Sequence, residues 1–244
     1  MRHLHFTLHQ CASTNSGSLQ YARVSIPADG CVRIFRDYDQ PKPHLVTAWR
    51  ALPQLLPSTH AEAGLICEWQ QVRGRLLAGG NAKDLRIWDA STEVCTGEIP
   101  TRSNSCVSSL SADQVLGDTV VAGFGDGAVR VYDLRLGQRE AMVRAWRGVH
   151  RSWVKNVHMQ RGGNRELVSA RWVVRNLLSV FRTRFLVSCK KLIHGPAVYC
   201  LVISLTGEVC LWDIRQSEPL RVVQAHQGGL TSIAVHEHAP VFAT

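Results

Sequence analysis

The chain has 244 residues, 45% of them hydrophobic and 19% charged, which is enough apolar matter for one sizeable core and excludes wholesale disorder. Its formal net charge of +9 raises a nucleic-acid partner. However, Arg171, Arg175, Arg182, Arg184, Lys190 and Lys191 supply six of the nine charges from one acid-free stretch, 171–203, and the balance elsewhere is ordinary.

Along the chain, residues 1–27 are poorly patterned. They carry His3, His5 and His9 where a secretory leader needs an unbroken apolar stretch. No run of about 18 apolar residues offers a membrane span. The cysteines, Cys11, Cys31, Cys67, Cys95, Cys106, Cys189, Cys200 and Cys210, contain no C-x-x-C pair. Without a leader they are expected to stay reduced and act as small hydrophobes, in a cytoplasmic or nuclear setting.

From residue 28 a pattern begins to recur. ADGCVRIFRD (28–37) is a turn followed by one alternating strand. The run RLLAGGNAKDLRIWD (75–89) and the run TVVAGFGDGAVRVYD (119–133) are full copies, each fifteen residues long. In each, an apolar run leads through a small-residue turn into a strand that closes on an aromatic residue and Asp. The closing pairs are Trp88-Asp89, Tyr132-Asp133 and Trp212-Asp213.

Further strand-like runs flank them in a fixed order. They are Leu65–Trp69 and Val94–Ile99 around the first copy, Ser105–Ser111 and Glu140–Trp146 around the second, and Trp153–His158 and Leu220–Ala225 around the third. Gly125-Asp126-Gly127 and Thr206-Gly207 suit tight hairpin turns, where glycine tolerates positive φ.

The third copy is interrupted. The residues just before the closing strand read HGPAVYCLVIS and do not match, whereas ELVSA (166–170) does. Joining Ala170 to Ser204 gives ELVSASLTGEVCLWD, again fifteen residues. Trp88 and Tyr132 are 44 residues apart and Tyr132 and Trp212 are 80 apart; removing 171–203 leaves 47. A period near 45 with four strands per repeat is that of WD-repeat β-propeller blades.

The expected fold is therefore all-β: an incomplete WD-repeat β-propeller over 28–244, with about three whole blades, partial blades at both ends and an insertion at 171–203. The basic, partly apolar insertion could be a functional loop or a membrane-binding amphipathic helix. It enters inside a strand, lacks acids and shows neither helical nor strand periodicity, which reads instead as translated non-coding sequence such as a retained intron. The chain ends at VFAT inside a strand, so it is expected to be a fragment and poorly stable alone.

Four runs carry a resemblance to a known family: ADGCVRIFRDYDQPKPHLVTAWRALPQLLPS (28–58), GLICEWQQVRGRLLAGGNAKDLRIWD (64–89), IPTRSNSCVSSLSAD (99–113) and VVAGFGDGAVRVYDLR (120–135). They resemble the C-terminal propeller of the Raptor family, regulatory scaffolds of the TOR kinase in TOR complex 1. Leu45-Val46-Thr47-Ala48-Trp49 followed by Leu56-Pro57-Ser58 is distinctive, because it belongs to a blade connection rather than to the WD pattern. The resemblance resumes in HRSWVKNV (150–157), stops at Ala170 and resumes at Ser204.

It implies a non-catalytic scaffold in nutrient-responsive TOR signalling and growth control. Its partners would be subunits of the TOR kinase complex, with no cofactor or small molecule. It also implies a cytoplasmic protein recruited to the lysosome or vacuole surface. A relative would carry an N-terminal caspase-like domain and helical repeats that this chain lacks, so the family's substrate capture does not carry over residue by residue.

Rival chemistry finds little support. Gly123-Phe124-Gly125-Asp126-Gly127 has its third glycine one place early for a dinucleotide loop and precedes a strand where a helix is needed. His236-Glu237-His238 has no third metal ligand at helpful spacing. No G-x-S-x-G elbow or supported carboxylate pair is present. Catalytic, cofactor-binding and metal residues are therefore expected to be none.

His150 and His226 sit where WD repeats place a histidine in a buried hydrogen-bond network with a blade Trp. Arg33, Arg86 and Arg130 share one repeat position, which favours internal pairing over RNA stacking. Recognition is expected in exposed connections such as Asp39–His44 and Pro53–His60. The alternative partner class is a ubiquitin ligase, with the chain as its substrate receptor.

Overall fold

In the computed structural model of the chain, the structure describes residues 8–9, 21–25, 30–36, 41–52, 64–70, 73–148, 150, 153–160, 166–171, 186–188, 199–203, 208–213, 216–219, 221–224, 234–235 and 241–243. These residues form strands and turns, with no α-helix among them. They fall into two compact units, Met1–Cys106 and Val107–Thr244.

The first unit holds two four-stranded antiparallel sheets. One contains β1 (Leu8–His9), β2 (Tyr21–Ser25), β3 (Cys31–Arg36) and β4 (His44–Arg50), side by side in that order. The repeat pattern marks only the turn and β3 here; Leu45–Trp49, expected in a blade connection, lies instead in β4 and pairs with β3, and β1 is too short to show a period. The other contains β5 (Leu65–Gln70), β6 (Arg75–Gly80), β7 (Asp84–Asp89) and β8 (Val94–Pro100), again in chain order. Between these sheets Val32, Ala51, Leu52, Leu65, Cys67, Leu76 and Ala78 form a buried core, with Trp49, Trp69 and Trp88 packed against it. Burying each larger side chain contributes about 1.5–3 kcal/mol.

The second unit begins with β9 (Val107–Ala112), β10 (Thr119–Phe124), β11 (Val129–Asp133) and β12 (Met142–Trp146), a third sheet of the same design. All six residues of β10 are buried; β9 and β11 flank its edges, and the core shared with the fourth sheet includes its Val121. This accounts for apolar residues at consecutive positions, where a half-exposed strand would alternate.

Then come β13 (Val154–Gln160), β14 (Glu166–Arg171), β15 (Leu186–Ser188), β16 (Tyr199–Ile203), β17 (Glu208–Asp213) and β18 (Arg221–Gln224). The fourth sheet runs β14-β13-β16-β17-β18, with β14 also paired to β17. A small three-stranded sheet joins β15 to β20 (Val241–Ala243), which in turn pairs with β19 (Ala234–Val235).

The third and fourth sheets share a core of Val121, Val129, Val131, Trp146, Val154, Val157, Met159, Cys210 and Trp212. Two serines fasten the layers. The Ser108 hydroxyl donates to the Val154 carbonyl at 2.5 Å, and the Met159 N–H donates to Ser111 Oγ at 2.9 Å.

Registers repeat from sheet to sheet. Leu76 faces Trp88 as Val120 faces Tyr132, and Arg75 faces Asp89 as Thr119 faces Asp133. The ladder to the outermost strand shifts between Ile34 and Phe35, between Ile87 and Trp88, and between Val131 and Tyr132. These are one and the same repeat position, immediately before the aromatic residue, and such a bulge bends and twists the strand.

Candidate functional site: blade-closing residues and exposed outer strands

The aromatic-Asp pairs do mechanical work at the end of each third strand. Asp89 Oδ1 accepts hydrogen bonds from the Ser91 N–H at 2.8 Å, the Ser91 hydroxyl at 2.6 Å and the Thr92 N–H at 3.2 Å. An aspartate side chain used this way closes the turn into the fourth strand. The same bonds favour the ionised form, led by the Ser91 hydroxyl, and hold the Asp89 carboxyl below its ordinary range.

Asp133 makes the equivalent turn by accepting from the Arg135 N–H at 3.0 Å, and its second oxygen pairs with Arg135 Nη2 at 2.6 Å. In the fourth sheet the Gln216 N–H donates to the Asp213 carbonyl at 2.9 Å, matching the Leu136 N–H to the Asp133 carbonyl at 3.3 Å in the third. Asp213 and His150 are each only 1% exposed, and Trp212 and Tyr132 are fully buried. His226 lies outside the described residues.

Each Trp of a closing pair that can be placed meets a Trp of the preceding sheet's outermost strand. Trp49 on β4 lies 6.2 Å from Trp88, and Trp146 on β12 lies 4.8 Å from Trp212, centroid to centroid. Trp146 Nε1 also donates to the Gln216 carbonyl at 2.9 Å. The sequence carries a signal for Trp49 and Trp146 as partners that the closing pairs do not: Val46-Thr47-Ala48-Trp49-Arg50 and Val143-Arg144-Ala145-Trp146-Arg147 are two copies of one V-x-A-W-R phrase. Their register agrees, since Trp49 faces Val32 and Trp146 faces Val129.

The repeated arginines are internally engaged. Arg86 pairs with Glu98 at 2.7 Å, directly across the β7–β8 ladder. Arg130 is 3% exposed and lies over the Phe124 ring at 4.6 Å, a cation–π contact.

The glycine-rich run at 123–127 is a hairpin turn. The Gly127 N–H donates to the Phe124 carbonyl at 3.1 Å, the Ala128 N–H to Asp126 Oδ1 at 2.9 Å, and Gly127 has φ of 84°. Among the described residues no group of three or more His, Cys, Asp or Glu could hold a metal ion; His236-Glu237-His238 lies outside them. Burial, and then the neighbouring Glu68 charge, push the Cys67 thiol far up, away from nucleophilic use.

The surface presents no reactive constellation among the described residues, but it does present apolar side chains in a consistent place. Leu45 and Val46 on β4, Val94 on β8, Val143 on β12 and Val222 on β18 are large, exposed and all on outermost strands. Val115, Leu116 and Leu136 are exposed in turns. Of the connections expected to recognise partners, 41–44 is described and exposed, whereas 39–40 and Pro53–His60 lie outside the described residues. Exposed strand edges and turns of this kind suit contact with other proteins.

Comparison with known proteins decides the kinship. The chain is 39% identical over 217 residues to the target of rapamycin complex 1 subunit mip1 of Schizosaccharomyces pombe, covering 89% of this chain and 14% of that protein. The chain belongs to the Raptor family. It is 38% identical over 232 residues to the target of rapamycin complex 1 subunit KOG1 of Saccharomyces cerevisiae, covering 89% of this chain and 13% of that protein. The crystal structure of Chaetomium thermophilum Raptor superposes with a TM-score of 0.71 at 42% identity, over 91% of this chain and 17% of that one.

No family model matches the chain. The fold is that of a WD-repeat β-propeller, of which the described sheets make up a part. The chain spans only about a seventh of the length of the Raptor-family relatives it matches.

Proposed function

We propose that this chain is the C-terminal propeller portion of a Raptor-type subunit, a non-catalytic scaffold of a TOR complex 1 acting in nutrient-responsive TOR signalling and the regulation of cell growth. One observation carries the proposal: 39% identity over 89% of the chain to a protein named as a target of rapamycin complex 1 subunit. The physical character of the surface supports it. The recurring arginines and aspartates are occupied in internal pairs and turns, and what faces outward is strand edges, turns and single apolar residues. Such a surface recognises partners by shape and backbone pairing rather than by turning over a substrate.

The partners would be subunits of the TOR kinase complex, in the cytoplasm, with recruitment to the lysosome or vacuole surface through the assembled complex. WD scaffolds also serve ubiquitin ligases as substrate receptors, and co-purification separates the two. The tagged 244-residue chain is expected to recover the TOR kinase from a lysate, with no ligase subunits above background. Recovery of ligase subunits without the kinase would overturn the proposal.

A further inference from the structure

Two residues of β17 have more neighbours than a strand can hold. Cys210 faces Ser169 of β14, Val202 of β16 and Val222 of β18, and Leu211 faces Val168, Leu201 and Arg221 on the same three strands. A strand has two edges, and its backbone N–H and C=O groups serve one neighbour on each. The outermost edge belongs to β18, as it does to β8 and β12 in the second and third sheets. One edge of β17 therefore remains for two strands.

The same doubling appears on β13, where Val157, His158 and Met159 face Ser169, Val168 and Leu167 on β14 and also Val202, Leu201 and Cys200 on β16. The equivalents of β13 in the other sheets, β5 and β9, are end strands with one neighbour each.

We propose that 166–171 and 199–203 are alternative occupants of a single strand slot, and that 166–171 is the one that completes the sheet. The two strands align residue for residue in that slot, Leu167 with Cys200, Val168 with Leu201, Ser169 with Val202 and Ala170 with Ile203. What distinguishes them is size at the last two positions.

The equivalent pairs are Ala78-Gly79 on β6 and Ala122-Gly123 on β10. At Gly123 an added Cβ would stand 2.4 Å from Val154 Cγ1 and 2.5 Å from Ser109 Oγ, so the third sheet has no room for a branched side chain there. Ser169-Ala170 follows the small-residue rule; Val202-Ile203 breaks it.

Chain connection agrees as well. Five residues, 161–165, separate β13 from β14, and four, 204–207, separate β16 from β17. Retaining 166–170 and removing 171–203 keeps both short connections, like 81–83 between β6 and β7. With β14 in place, β16 is a surplus strand excluded from the ladder.

Hydrogen exchange on the full 244-residue chain tests this directly. Amides of 166–170 are expected to exchange on the order of 100-fold more slowly than those of 199–203. Equal protection of both strands, greater protection of 199–203, or protection of neither would overturn the proposal. Proline substitution gives a second readout, because proline cannot donate to a ladder. Val168→Pro is expected to speed exchange at 208–213 by about tenfold or more, and Leu201→Pro to leave it within about twofold. An effect of Leu201→Pro equal to or larger than that of Val168→Pro would overturn it.

Discussion

Trp146 concentrates several terms in one side chain. It stacks on Trp212 at 4.8 Å, donates its indole N–H to the Gln216 carbonyl and belongs to the buried core shared by the third and fourth sheets. Trp146→Ala removes all three, and a loss of about 3–5 kcal/mol is expected from the cavity and the aromatic area. Trp146→Phe keeps most of the packing and gives up the hydrogen bond, so about 1–2 kcal/mol is expected. Urea unfolding of the full chain followed by circular dichroism measures both, and equal losses for the two variants would show that the ring stack contributes nothing.

Asp89 acts through charge instead. Its folded pKa lies below the unfolded value because the Ser91 hydroxyl, the Ser91 N–H and the Thr92 N–H all bond the carboxylate. The stabilisation is therefore present above the unfolded carboxyl range near about pH 4 and is lost as pH falls through the folded value. Asp89→Ala is expected to melt below the parent chain at neutral pH, with the gap closing on acidification. A gap that persists at low pH would place the effect in packing.

At the scale of strands, β10 must be thin at Gly123, where Val154 of β13 and Ser109 of β9 approach it. Gly123→Val forces a branched side chain against Val154 and Ser109. An overpacking loss of about 1–3 kcal/mol is expected, with faster hydrogen exchange in β13 as well as β10. Exchange confined to β10 would mean that β13 gives way without cost.

Much of this arrangement could be read from the residues. The fifteen-residue phrases, their glycine turns and the closing aromatic-Asp pairs located β6, β7, β10, β11 and β17, because those strands obey a repeat that local chemistry enforces. Three features escaped the pattern. β1, two residues long, is too short to show alternation, and β2 stands outside the fifteen-residue phrase. The bulges before Phe35, Trp88 and Tyr132 depend on cross-strand register, which no single strand records. β16 stands outside the pattern because Val202-Ile203 departs from the small-residue pair found at that place in the other copies. The Trp–Trp contacts escaped for a different reason: the V-x-A-W-R phrase was present, but its partner lies in another sheet.

At the scale of the whole chain, the expected insertion at 171–203 bears on the fourth sheet. On the proposal above, the segment brings a rival strand to a slot that 166–171 fills with smaller residues, and it carries six of the nine net positive charges with no acid beside them. An excluded apolar strand with free backbone groups favours association between molecules, and crowded like charge adds self-repulsion within one. Both effects should vanish when Ala170 is joined to Ser204.

The shortened chain keeps every residue of the phrase ELVSASLTGEVCLWD in the register seen at 75–89 and 119–133. It is expected to melt several degrees higher, at about 2–4 °C for each kcal/mol gained in a chain of this size. It is also expected to elute as a narrower species in size-exclusion chromatography and to lose salt-sensitive retention on a polyanion column. A lower melting temperature together with broader elution would mean that 171–203 contributes to the fold, and that β16 rather than β14 belongs between β13 and β17.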